Sequence, residues 1–134
     1  MSGRSGAGRP HEVSPQAQRR LELGRFGEAL AARHLSEQGM VVLDRNWRCD
    51  CGEIDLVLRD GRVLVVCEVK TRTSNAYGSP LEAVGERKAA RLRRLAARWL
   101  AEHDLRPDHV RLDLVGVLVT GVEAPHVDHV VGVG

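Results

Sequence analysis

The chain has 134 residues, enough for one domain, and its 43% hydrophobic and 28% charged content is that of an ordinary globular protein. No apolar run approaches bilayer length and the N-terminus lacks a charged-then-apolar secretion pattern, so no membrane association and a cytoplasmic setting are expected. A net charge of +2 does not by itself argue for nucleic acid, and an odd count of three cysteines does not make a disulfide framework.

Residues 1 to 13, rich in Gly, Ser, Arg and Pro, are expected as a disordered arm, with 14 to 134 as a single domain. Ser14-Pro15 predicts an N-cap followed by proline in the first helical turn, and the helix runs to about Gln38 with Gly39 as its stop. On that helix Glu28 shares a face with Leu21, Gly24, Ala31, Ala32 and Leu35, so its carboxylate should face the core or a cleft. Residues 40 to 48 read as a strand. Cys49-Asp50-Cys51 has the wrong spacing for a zinc knuckle, and Cys67 falls in an apolar run and reads as core.

Glu53 to Leu58 is an apolar strand interrupted by two acids, and Arg62 to Lys70 is its return. Asp60-Gly61 between them predicts a two-residue hairpin turn, which would set Leu58 opposite Val63, Asp55 opposite Val66 and Glu53 opposite Glu68. Alternation then puts Glu53, Asp55, Val57, Leu64, Val66, Glu68 and Lys70 on one face and Ile54, Leu56, Leu58, Val63, Val65, Cys67 and Val69 on the other. Acids crowded at one end of a hairpin repel unless they share a proton or bind a cation. A hard divalent ion, Mg²⁺ or Mn²⁺, suits such an oxygen set. The alternative is a solvated face with surface ion pairs, but the otherwise apolar strands imply burial on both faces.

Residues 71 to 78 form a polar loop, and Ser79-Pro80-Leu81-Glu82 predicts a capping box opening a helix to about His103. Lys88 falls on its apolar stripe with Leu81, Val84, Leu92 and Leu95. Arg87, Arg91, Arg94 and Arg98 fall on another face, a guanidinium row suited to phosphates or a merely solvated basic surface. Strands at 109 to 119 and 126 to 133 close an α-β-β-β-α-β-β order, an α/β mixed sheet flanked by helices.

Asp55 followed by Glu68-Val69-Lys70 resembles the PD-(D/E)XK motif of restriction-endonuclease-like nucleases, whose core has a similar element order. Ile54 stands where the motif's proline would be. Glu28 is similar to the upstream helical glutamate of archaeal Holliday-junction resolvases. Gly24-Arg25-Phe26-Gly27-Glu28, Arg45-Asn46-Trp47-Arg48, Gly52-Glu53-Ile54-Asp55-Leu56-Val57, Glu68-Val69-Lys70-Thr71-Arg72 and Arg111-Leu112-Asp113 resemble the signatures of the bacterial YraN family. The ending Val130-Val131-Gly132-Val133-Gly134 departs from the aromatic close expected there.

The resemblance implies a restriction-endonuclease-like core and metal-dependent hydrolysis of DNA phosphodiesters. Asp55, Glu68, the Val69 carbonyl and Glu53 would hold Mg²⁺ or Mn²⁺, with Glu28 as a further catalytic carboxylate. Lys70 would orient water or stabilise the transition state, and Lys88 and Arg72, with the arginine row, would contact phosphates. With few aromatics for stacking, duplex or branched DNA is the expected substrate. Resolvases act as dimers, so a homodimer is expected as an option. The competing expectation is a nucleic-acid-binding or adaptor module of the same fold without catalysis.

Overall fold

The computed structural model describes residues 13–74 and 85–133. The expected N-terminal arm up to residue 12, most of the polar loop and the capping box at Ser79 lie outside the described residues.

Helix α1 spans Pro15–Glu37. The Ser14 hydroxyl accepts from the Ala17 amide at 3.0 Å, and Gly39 turns the chain at φ 98°, so both ends follow the sequence expectation. Three strands follow, β1 (Val41–Cys49), β2 (Gly52–Asp60) and β3 (Val63–Arg72), paired antiparallel in turn. Helix α2 (Glu86–Ala101) leads to β4 (His109–Leu118), parallel to β3, and β5 (His126–Val130) pairs antiparallel with β4. The result is a five-stranded mixed sheet in sequential order, a restriction-endonuclease-like α/β arrangement with one helix on each face.

Each face has its own core. Ala31, Ala32 and Leu35 of α1 pack against Leu56, Leu58, Val65, Cys67 and Val115. Ala89, Leu92, Leu95 and Trp99 of α2 pack against Ile54, Val57, Leu64, Val66 and Leu112. Among the described residues no helix is long and apolar enough to cross a membrane.

Two expectations about the hairpin need correction. Asp60 pairs with Val63, so the turn is Gly61-Arg62 and the register lies two residues on from the expected one, with Val57 opposite Val66. Only Gly61 of the turn residues has a positive φ, 61°, which suits a turn demanding that conformation at its first central position. Asp60 stays in the strand, its carboxylate 3.1 Å from Arg111.

The second correction concerns the faces. Ile54 packs with Val57 on the α2 side, while Leu56 and Leu58 face α1, so β2 does not alternate through Asp55. Regular pairing with β3 ends at Leu56–Cys67, and the β1 ladder skips the Asn46–Asp55 position, where Asn46 has φ 50°. The register of the β1–β2 ladder shifts elsewhere, between Val42 and Asp44, so at Asp55 it is the alternation of faces that breaks.

Candidate functional site

The site is the fork where β2 and β3 part. Beyond Leu56–Cys67 the Asp55 carboxylate takes the place of a ladder partner, accepting from the Val69 amide at 2.8 Å. Burial pushes the Asp55 carboxyl up to about 6; the Val69 amide opposes this, and Glu28, Glu68 and Glu53 raise it further. Asp55 thus feels every other acid of the expected set.

Glu68 and Lys70 alternate with Val69 on β3. Glu68 is largely buried, and its Oε2 accepts no hydrogen bond of regular geometry. The Lys88 ammonium from α2 is in contact with that oxygen, and Lys70 lies 3.8 Å from it. Lys88 therefore belongs to the acid cluster rather than to the outer basic face, as its place on the apolar stripe implied.

Glu28 reaches the site because α1 comes unusually close to the sheet. A Cβ on Gly27 would lie 1.8 Å from Thr71 Oγ1 and 2.9 Å from its Cβ, so only glycine permits this approach next to the glutamate. Burial raises the Glu28 carboxyl; a hydrogen bond from the Asn46 side chain opposes this, Glu53 raises it again and Arg25 lowers it. Glu53 is exposed at the rim, its carboxylate 2.9 Å from Arg48. Asn46 was legible only as part of a motif; its signal is a residue tolerant of positive φ in mid-strand.

The Gly27 contact has a measurable consequence. Gly27→Ala gains about 1 kcal/mol of helix propensity but overpacks a rigid β-branched neighbour, which typically costs about 1–3 kcal/mol. A lowered urea midpoint is expected, partly recovered by adding Thr71→Gly. A single variant as stable as the wild type would contradict the close approach.

The remaining predicted residues divide. Arg87, Arg91 and Arg94 are exposed on the outer side of α2, whereas Arg98 is tied to the β1–β2 turn, 2.8 Å from Asp50 Oδ1 and 3.3 Å from Cys51 Sγ. Arg72 is half-buried at the end of β3. Beside it a cleft of about 860 Å³ opens against Glu28 and Val69, with Arg19 and Arg20 of α1 on its far wall. Those two arginines were not singled out from the sequence, because the pattern of α1 does not reveal which turns leave the sheet.

Among the described residues, only Cys49, Asp50 and Cys51 bring three metal-ligating atoms within 4.8 Å of one another. Arg98 already holds that turn, and a cation there would have to displace it. No three of the carboxylates of Glu28, Glu53, Asp55 and Glu68 come that close together, and lysine ammonium groups lie against Glu68. Their chemistry still fits a hard divalent ion. All donors are oxygens, and burial together with the neighbouring carboxylates raises the Asp55 carboxyl to about 6.

A model of the family described as "Uncharacterised protein family UPF0102" matches residues 27–117. The chain is 61% identical over 112 residues to a UPF0102 protein of Nocardioides sp., covering 84% of this chain and 90% of that one. Similar matches are UPF0102 proteins of Frankia alni, 60% identical over 110 residues (82% of this chain, 92% of that one), and Streptomyces griseus, 59% over 112 residues (83% and 94%).

Proposed function

The chain belongs to the UPF0102 family, and from that premise we propose that it is a metal-dependent endonuclease that hydrolyses DNA phosphodiesters at the β2–β3 fork. The observation that carries this reading is Asp55, pushed up to about 6 in a cluster with Glu28, Glu53 and Glu68 while lysines press on Glu68. Strands otherwise apolar on both faces have no structural use for so much repulsion.

Asp55 and Glu68 would hold the ion, Mg²⁺ or Mn²⁺, and the Val69 carbonyl and Glu53 would be its further oxygen donors. Bound there, the ion supplies Lewis acidity, which acidifies water and neutralises charge building on the phosphate. The Val69 amide fixes the Asp55 carboxylate through its Oδ2. Lys70, more exposed than Lys88, presents its ammonium to the phosphate and the attacking water. Glu28, anchored by Asn46, orients water from the α1 side.

A second reading is a nucleic-acid-binding module of the same fold without hydrolysis. It is favoured by Lys88, which already compensates Glu68 where a cation would sit. One assay separates the two: supercoiled plasmid, a flap and a four-way junction incubated with Mg²⁺ or Mn²⁺. The nuclease reading expects cleavage that requires metal and falls roughly 10²–10³-fold in Lys70→Ala. DNA that is bound but left intact supports the other reading, and cleavage unchanged in Lys70→Ala removes this site from the reaction.

A further inference from the structure

No residue of α1 before Gly27 is buried, so Pro15 to Phe26 overhangs the sheet by roughly 18 Å at ~1.5 Å per residue. The overhang faces Thr73 and Ser74 just past β3, and the 860 Å³ cleft lies between them. Arg19, Arg20 and Gln16 form its helical wall, Thr73 and Ser74 line the opposite one, and Val69, whose amide holds Asp55, adjoins the fork.

Three properties of this groove define its occupant. Arg19 and Arg20 make no ion pair or hydrogen bond with other described residues, so two guanidinium groups wait on an anion. The volume is that of a small-molecule cleft, typically ~300–1,000 Å³, enough for a few nucleotides and far too small for a duplex. Among the described residues no aromatic side chain lines it, so contact is through phosphates rather than stacked bases. The outer row on α2 is exposed, and its Arg98 is engaged by Asp50.

We infer that the groove is the path of one unpaired nucleic-acid strand, gripped by its phosphates through Arg19 and Arg20 and led to the β2–β3 fork. The inference rests on reading that fork as a phosphodiester site, and it narrows the substrate to one with a strand free of its complement, such as a flap or splayed arm. Phosphate contacts also make the grip indifferent to sequence.

The test is fluorescence anisotropy of a labelled 12-nucleotide single strand with the full chain in EDTA, which separates binding from hydrolysis. Arg19→Gln/Arg20→Gln should weaken binding at least tenfold. It should also reduce the slope of log affinity against log salt by roughly 1.4, two single-strand phosphate contacts at about 0.7 each. Glutamine keeps the exposed helix intact, and circular dichroism checks this. Arg33→Gln, at the far end of α1, should stay within twofold. Wild type that binds no single strand overturns the groove, as does a double variant within threefold of wild type. Equal loss in Arg91→Gln/Arg94→Gln overturns it too, moving the strand to α2. Groove-dependent binding with no metal-dependent cleavage would keep the groove and remove the nuclease.

Discussion

Asp55→Asn should make the metal-free protein more stable at neutral pH, by about 3 kcal/mol, while removing its response to divalent metal. The folded chain holds this carboxyl near 6 against an ordinary value of 3.8, chiefly by burial, and each unit is worth about 1.4 kcal/mol. Because the folded pKa is the higher one, the folded state binds the proton more tightly than the unfolded chain. Asp55 therefore costs nothing below about pH 4, costs progressively more as pH rises towards 6, and reaches its full penalty above that. Asparagine can still accept from the Val69 amide but carries no charge against Glu28, Glu68 and Glu53. Urea unfolding of both chains in EDTA should give a gap that is full at pH 7.5 and near zero at pH 4. Comparing the two chains cancels the groups Asp55 does not touch and leaves Asp55 with its coupling to Glu28, Glu68 and Glu53. A variant less stable than wild type at pH 7.5 would mean that the buried carboxylate is relieved by something other than a cation.

Asp113→Ala should cost about 3–5 kcal/mol, the range for leaving a buried charge without its partner. Asp113 is fully buried and accepts from Arg111 Nε at 2.9 Å, His129 Nε2 at 2.7 Å and the Gly132 amide at 3.1 Å. Arg111 in turn reaches Asp60 at 3.1 Å, so one carboxylate ties β2, β4 and the end of β5 together. Burial alone would raise the Asp113 carboxyl, but Arg111, His129 and the Gly132 amide together hold it below the ordinary range. Its contribution is therefore present above about pH 4 and lost as acid protonates it, the opposite sign to Asp55. The urea midpoint of Asp113→Ala should fall sharply at pH 7. Asp113→Leu combined with Arg111→Leu should recover much of the loss, because neither charge is then stranded. A midpoint for Asp113→Ala within 1 kcal/mol of wild type would show the network to be dispensable.

These two acids also show what the sequence disclosed. An acid inside an apolar strand is a clear signal, and it singled out Asp55 and Glu68, but its meaning depends on neighbours the sequence does not order. Asp113 lay in a quoted motif with no role attached, because its partners come from β4 itself, from β5 and from the chain after it. The ends of α1 were legible because Ser14, Pro15 and Gly39 act locally. The hairpin was legible as an object but not in register, since Asp-Gly and Gly-Arg turns differ by a tertiary contact, Asp60 with Arg111. Strict alternation failed at Asp55, which lies across the ladder from Asn46 and its positive φ. The overhang of α1, and with it Arg19 and Arg20, emerges only once Gly27 is seen against Thr71.

The arginine row of α2 illustrates the limit of helical spacing as an argument. Spacing placed Arg98 with Arg87, Arg91 and Arg94, yet the β1–β2 turn captures its guanidinium. Conversely Lys88, one residue from the row, turns inward onto Glu68. Charge pattern located the basic helix, and packing decided which of its charges stay on the outer face.

The most direct measurement is a calorimetric titration of the full chain with Mn²⁺ at pH 7.5, in wild type and in Glu68→Gln. One saturable site with submillimolar affinity, lost in the variant and weakening as pH falls through about 6, is the predicted result. No saturable heat up to several millimolar Mn²⁺, or binding that Glu68→Gln leaves unchanged, would show that these carboxylates are not a cation site.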